Sequence, residues 1–233
     1  MKTKLFIAAM LAAAGLAGAQ MFAQLFGTTG TPIPAVAWYR FDGNALDSSG
    51  NGYDGTVVNS TPTNDGKYGG AYQFATYGNY ISSSANPNSS NVSACAWVNV
   101  STNTQTGGVI CFPPFPNFLA YVPARTLRLV DPPFSSTFTA ANSIPIGSWT
   151  HVAYSYSGKD KHAKIYINGV LSATAPATGG AINNTLRIGK TSVDAQTFYG
   201  KIDDVRIYGR ALSLANIQRI MTGQDVAPIE ELQ

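Results

Sequence analysis

The chain has 233 residues, a formal net charge of +3 and 12% charged side chains. That length suits one all-β domain of about 180–200 residues plus an extension, and the charged fraction is about half the usual ~25%, as in exported proteins with polar, weakly charged loops. The basic residues form no runs interleaved with aromatics, which excludes a nucleic-acid groove. At the N-terminus, Lys2 and Lys4 precede an apolar run over residues 5–19 that ends in Ala17-Gly18-Ala19. This is the charged, apolar and small-residue pattern of a secretory signal peptide, so residues 1–19 are expected to be removed on export to the extracellular space or cell surface. Read as an uncleaved helix through Met21, Phe22 and Phe26, the stretch is just long enough to span a bilayer at about 20 residues. Only in that form would the protein meet a membrane.

Residues 20–34 form a Gly/Thr/Pro linker, residues 35–222 a folded domain and residues 223–233 a tail. Within the domain, strands are predicted at 37–41, 55–58, 71–74, 80–82 and 92–100, punctuated by Gly69-Gly70 and Pro87. Residues 112–138, rich in Pro and Phe, are expected to supply edge strands at 119–122 and 127–130 between long loops. Strands at 149–156 and 164–167 follow, and Asn168-Gly169 signals a two-residue hairpin into 171–174. Residues 186–189 lead to a strand over 199–208. One helix is predicted at 214–221, with Ser213 as N-cap and Gly223 as stop, covering one end of the molecule. Many short strands with regular turns and a single terminal helix make an all-β, two-sheet antiparallel sandwich of the jelly-roll type.

Cys95 and Cys111 lie in two strand-like pieces separated by a Gly-rich turn. If those pieces pair, a disulfide closing about 15 residues would contribute roughly 3 kcal/mol. The alternative is a pair of buried free thiols. In the strand over 199–208, strict alternation puts Asp203 with Val205 and Ile207 on the core face, and Ile202, Asp204, Arg206 and Tyr208 on the other. An inward carboxylate needs hydrogen bonds, a partner or a metal.

Four pieces occur in order: Trp-Tyr-Arg-Phe-Asp-Gly from Trp38 with Asp-Ser-Ser-Gly-Asn-Gly-Tyr-Asp-Gly from Asp47; Ser-Ala-Cys-Ala-Trp-Val from Ser93; Trp-Thr-His-Val-Ala from Trp149 through Ile-Tyr-Ile-Asn-Gly ending at Gly169; and residues 200–213. Together they resemble the laminin-G-like (LamG) modules of the concanavalin A-like jelly-roll superfamily. The resemblance spans residues 35–222 and implies that the first strand and the 199–208 strand are neighbours. If so, Asp42, Asp47, Asn51, Asp54 and Asp203 could converge on a structural calcium ion. The alternative is a metal-free clasp, with Asp42 and Asp47 in Asx turns and Asp203 bonded to amides of the loop at 47–52.

Some relatives of this fold hydrolyse glycans with opposed carboxylates. The only glutamates are Glu230 and Glu231 in the tail, and Asp203 and Asp204 are adjacent, so no enzyme is expected. His151 has no Ser or Cys triad context and is expected to be a hydrogen-bonded structural histidine. Tyr53, Tyr68, Tyr77, Tyr80, Phe115, Phe118, Phe134 and Phe138 lie in or beside loops, where aromatic rings suit sugars although many serve core or edge packing instead, and Tyr53, Tyr77, Tyr80, Phe115 and Phe118 are the candidate ligand contacts. The expected role is a secreted, non-catalytic module that recognises a glycan or a cell-surface protein. The alternative is a subunit that self-associates into a filament or surface layer through residues 20–34 adding to an open sheet edge.

Overall fold

The computed structural model describes residues 33–102, 106–113, 119–122, 124–131, 135–177, 185–191 and 196–224. The expected signal peptide, the linker to residue 32, Phe115, Phe118 and the tail from residue 225 lie outside them. Fifteen strands and one helix form among the described residues. They are β1 (Ala37–Tyr39), β2 (Thr56–Val58), β3 (Thr61–Thr63), β4 (Ala71–Phe74), β5 (Tyr80–Ser83), β6 (Val92–Val100), β7 (Gly107–Cys111), β8 (Leu119–Val122), β9 (Thr126–Asp131), β10 (Ser135–Phe138), β11 (Trp149–Ser157), β12 (His162–Ile167), β13 (Val170–Pro176), β14 (Leu186–Ile188), β15 (Gly200–Tyr208) and α1 (Leu214–Met221). β3 and β10 have no counterpart among the predicted strands. Pro62 masked the first, yet β3 is an edge strand, where a residue without an N–H is tolerated.

The strands form two antiparallel sheets, ordered β13-β12-β11-β6-β15-β4-β3 with β1 also on β15, and β10-β9-β8-β7-β14-β5-β2. Alternate residues fill the space between them. Ala94, Ala96, Val98 and Val100 of β6 face Ile110, Leu127, Leu186 and Ile188 of the other sheet across one continuous core. Tyr39, Phe41, Phe74 and Phe198 are almost completely buried there, each worth roughly 1.5–3 kcal/mol of transfer free energy. The Asn168-Gly169 turn joins β12 to β13 with both residues at positive φ, 48° and 70°, as a type I′ hairpin requires.

The expected disulfide is not formed: Cys95 and Cys111 are both buried and not bridged to each other. Their strands, β6 and β7, belong to different sheets. Each cysteine sits between core-facing neighbours, Ala94 and Ala96 in one case, Ile110 and Phe112 in the other. The two thiols therefore point to opposite outer faces, with the whole sandwich between them.

β15 departs from strict alternation. Ile202 pairs with Val98 and Asp203 with Trp97, but the register shifts before Arg206 pairs with Cys95. This is a β-bulge, with Asp204 in the left-handed region at φ 46°. The extra residue resets the phase, so Ile202, Val205 and Ile207 all enter the core. Asp203 is turned to the outer face, contrary to the alternation, yet it remains fully buried. The bulge lies where β15 changes neighbours, from β4 at residues 200–202 to β1 at residues 205–207.

α1 begins at Ser213, whose Oγ accepts from the Asn216 amide at 3.3 Å, and Gly223 at φ 77° follows its end. The helix does not cap an end of the sandwich. Its lead-in is fastened to the outer face of the first sheet, where Leu212 N donates to Ser93 Oγ at 2.9 Å and Ser155 Oγ donates to Leu212 O at 3.1 Å. Ile217 and Ile220 are buried beneath the helix.

Candidate functional site

The five expected calcium ligands fall in two places. Asp47 organises the first turn: Oδ1 accepts from the amides of Trp38 and Ser49, both at 2.9 Å, and Oδ2 from the Tyr53 amide at 3.0 Å and Ser49 Oγ at 2.8 Å. Partial burial works against charge on Asp47, but these donors outweigh it and hold the carboxyl below the usual carboxylate range. Asp54 accepts from the Asp47 amide at 2.8 Å, and Asn51 Nδ2 donates to the carbonyls of Ala35 and Val36.

The second place is the turn over residues 66–70. Asp42 Oδ1 accepts from the Gly70 amide at 2.9 Å, and Asp203 Oδ2 accepts from Lys67 N at 2.8 Å and Tyr68 N at 2.9 Å. The Asp203 amides therefore come from this turn and not from the loop at 47–52. Gly69, at φ 68°, and Gly70 allow the approach: a Cβ on the first would collide with Asp42 Oδ1, and one on the second would lie 2.6 Å from Phe41 O. Among the described residues, no group of three or more His, Cys, Asp or Glu side chains could hold a metal ion. The expected carboxylates are divided between two turns, where backbone amides engage them.

Of the expected aromatic contacts, Tyr53 packs against the core, and its carbonyl accepts from Tyr39 Oη at 2.8 Å and Ser83 Oγ at 2.9 Å. Tyr77 is 64% exposed in the β4–β5 turn. Tyr80 lies on the second sheet, with Arg187 Cζ at 5.6 Å and Lys190 Nζ at 5.1 Å from its ring centroid. His151 is buried, but neither ring nitrogen has a hydrogen-bond partner. The expected hydrogen-bonded histidine is instead a desolvated one in edge contact with Trp97, its pKa pushed down to about 3 by burial and by Arg206.

A cleft of about 290 Å³ opens on the outer side of β1 and β15, lined by Trp38, Arg40, Asp42, Tyr68, Asp204 and Arg206. Register places Trp38 opposite Arg206. The bulge presents Asp204, whose Oδ1 accepts from Trp38 Nε1 at 2.5 Å and Arg206 Nε at 3.0 Å, while Oδ2 accepts from Arg206 Nη2 at 3.1 Å. The Arg206 guanidinium lies 4.1 Å from the Trp38 ring centroid and that of Arg40 5.2 Å. At the rim, Arg40 Nε meets Asp42 Oδ2 at 3.4 Å, both side chains about half exposed. Tyr68, 38% exposed, donates from Oη to Met221 O at 2.7 Å. Of the loop aromatics, Tyr68 lies here, whereas Tyr53, Tyr77 and Tyr80 do not line the cleft. The signal was the alternation in β1, which puts Trp38 and Arg40 on one face with Ala37 and Tyr39 on the other.

A family model described as the concanavalin A-like lectin/glucanase superfamily matches residues 74–218. The chain belongs to that superfamily. A comparison with curated protein sequences finds no match. Among solved structures, this superfamily member is similar to domain 4 of AbnA, a GH43 extracellular arabinanase from Geobacillus stearothermophilus, solved in complex with arabinotriose. The two are 25% identical at a TM-score of 0.64, over 82% of this chain and 100% of that domain. It shares its fold with the receptor-binding domain of a botulinum neurotoxin C/D mosaic at 16% identity, over 82% of this chain and 51% of that one, TM-score 0.65. It also shares it with the serotype D ligand-binding domain in complex with N-acetylneuraminic acid at 19% identity, again over 82% and 51%, TM-score 0.64. The chain spans about half the length of those toxin domains.

Proposed function

We propose that this chain is an exported, non-catalytic glycan-binding module. The observation that carries the reading is the likeness to the arabinanase domain, which covers the whole of that domain and reaches 25% identity with a protein solved in complex with arabinotriose. That enzyme is itself extracellular, in keeping with the signal-peptide pattern at residues 1–19. The non-catalytic part rests on how carboxylates are held. Asp203 is tied to backbone amides, and the two cleft carboxylates, Asp42 and Asp204, are each paired with a guanidinium. Glycoside hydrolysis needs instead two opposed carboxyls free to act as acid and nucleophile or base. A glycan array probed with the purified mature protein should give saturable signal on a subset of oligosaccharides, and silence across the array would sink the proposal.

A second reading, a self-assembling subunit, is favoured by β13. Among the described residues, this seven-residue strand ends its sheet with no strand paired on its far side, and it carries no charged residue, with Val170 66% and Leu171 49% exposed. Edges are normally blunted by charge, proline or bulges because they template pairing; here Pro176 stands only at the end and one bulge lies at Ser172, leaving the strand without charge. A glycan-binding module should elute as a monomer in size-exclusion chromatography. Ordered oligomers that Leu171→Lys disperses would favour assembly.

A further inference from the structure

Resting on the glycan-binding reading, we propose that the cleft beside Trp38 is the binding site and that its ligand is a neutral, hydroxyl-rich sugar segment. The cleft is built, not incidental. Asp204 adopts φ 46° in a bulge, a conformation unfavourable for a non-glycine residue that persists where surrounding structure enforces it, and bulges beside binding sites re-aim side chains. Here the side chain is a carboxylate with only 5% of its residue exposed, fixed by an indole N–H and two guanidinium N–H groups. A group so constrained keeps its geometry when a ligand arrives, so little ordering entropy opposes binding.

The chemistry of the lining matches a polyol. Asp204 Oδ2 accepts one bond and retains acceptor capacity, and the half-exposed Asp42 presents Oδ2. A carboxylate accepts from two adjacent hydroxyls, and a guanidinium fork such as that of Arg40 donates to the oxygens between them. Tyr68 supplies an exposed ring beside these groups, suited to the apolar face of a sugar. At about 290 Å³ the cleft sits at the lower edge of the ~300–1,000 Å³ range of small-ligand sites, enough for a short glycan segment and too small for a folded partner.

Charge selects the class. The guanidinium groups of Arg40 and Arg206 are balanced by the carboxylates of Asp42 and Asp204, each pair already in contact. An acidic sugar would have to displace an internal carboxylate to gain a cation, whereas a neutral one adds hydrogen bonds without breaking either pair.

Calorimetric titration of the mature protein with arabinotriose, xylotriose, cellotriose and trigalacturonate tests the assignment, alongside Arg40→Ala and Tyr77→Ala variants. Arg40 is exposed, so its removal should leave the melting temperature unchanged while weakening binding of the neutral trisaccharide at least tenfold. Tyr77→Ala should bind as the parent does. Binding that Tyr77→Ala weakens and Arg40→Ala does not would overturn the site but leave the glycan-binding reading intact. Preference for trigalacturonate would overturn the neutral class. Binding of a glycan from the array that neither variant affects would also overturn the site, whereas failure of every sugar would overturn the glycan-binding reading itself.

Discussion

Asp204→Ala is expected to destabilise the protein by about 3–5 kcal/mol, the cost of leaving one member of a buried ion pair without its partner. The side chains of Arg206 and Asp204 are 4% and 5% exposed, so the water of the cleft replaces the lost carboxylate only poorly. Arg206 would keep its 3.4 Å bond to Gln224 O, its hydrogen bond with the Tyr208 hydroxyl and its place over Trp38. The indole N–H of Trp38, which donates to the same oxygen, would lose its acceptor too. Backbone geometry separates this effect from simple loss of charge. At φ 46° alanine is disfavoured by roughly 1–2 kcal/mol relative to glycine, so Asp204→Gly should be the milder substitution. Asparagine tolerates this region and still offers an acceptor, so Asp204→Asn should be milder again. Thermal denaturation reads the series. At about 2–4 °C per kcal/mol for a domain of this size, Asp204→Ala should melt roughly 10 °C below the parent. A loss below about 1 kcal/mol, within the range of exposed ion pairs, would mean that the Asp204 carboxylate neither pairs with Arg206 as a buried partner nor fastens Trp38 of β1 to β15. Replacing both Asp204 and Arg206 with apolar residues should recover part of the loss, because no charge is then stranded.

Period-two patterning, turn residues and the helix cap made the sheet architecture legible, down to the bounds of β4, β6, β8 and α1. The LamG resemblance placed β1 beside β15, as the structure has it. What failed did so where one residue changes the register. Alternation cannot reveal a bulge, because the extra residue at 204 leaves no mark on either side, and Asp203 was therefore assigned to the wrong face. Cys95 and Cys111 are close in sequence, but jelly-roll connectivity sends their strands to different sheets, a long-range fact that strand propensity does not carry. The cleft was half visible: Trp38 and Arg40 share a face of one strand, Asp204 and Arg206 share a face of the other, and the strands were expected to be neighbours. The missing step was register, which sets Trp38 against Arg206. Aromatic residues in loops drew attention away from a tryptophan in a strand.

Asp203 and His151 should give stability a pH dependence of opposite signs. They occupy the two strands that flank β6, β15 and β11, each paired in register with Trp97. Burial pushes the Asp203 carboxyl up to about 7 despite the amides of Tyr68, Asp204 and Lys67 that favour its charge. Its folded pKa exceeds the unfolded value of about 3.9, so its contribution is full below about pH 4 and is lost as pH rises through 7. His151, held down to about 3, behaves oppositely. The unfolded chain takes up a proton below about pH 6.5 that the folded chain refuses, so stability falls as pH drops from there towards 3. Between about pH 4 and 6.5 the two slopes oppose each other. Relative to the parent, His151→Gln should gain stability on acidification across that window, and Asp203→Asn should lose it. Asp203→Ala should also be destabilised at neutral pH, by about 2–3 kcal/mol, because the amides of Lys67, Tyr68 and Asp204 lose a buried acceptor. Chemical denaturation at half-unit pH steps measures all three variants. Curves for Asp203→Asn and the parent that run parallel from pH 4 to 7 would show that the carboxyl titrates alike in folded and unfolded chains, and an unchanged melting temperature for Asp203→Ala would remove its role as the fastening of the 66–70 turn.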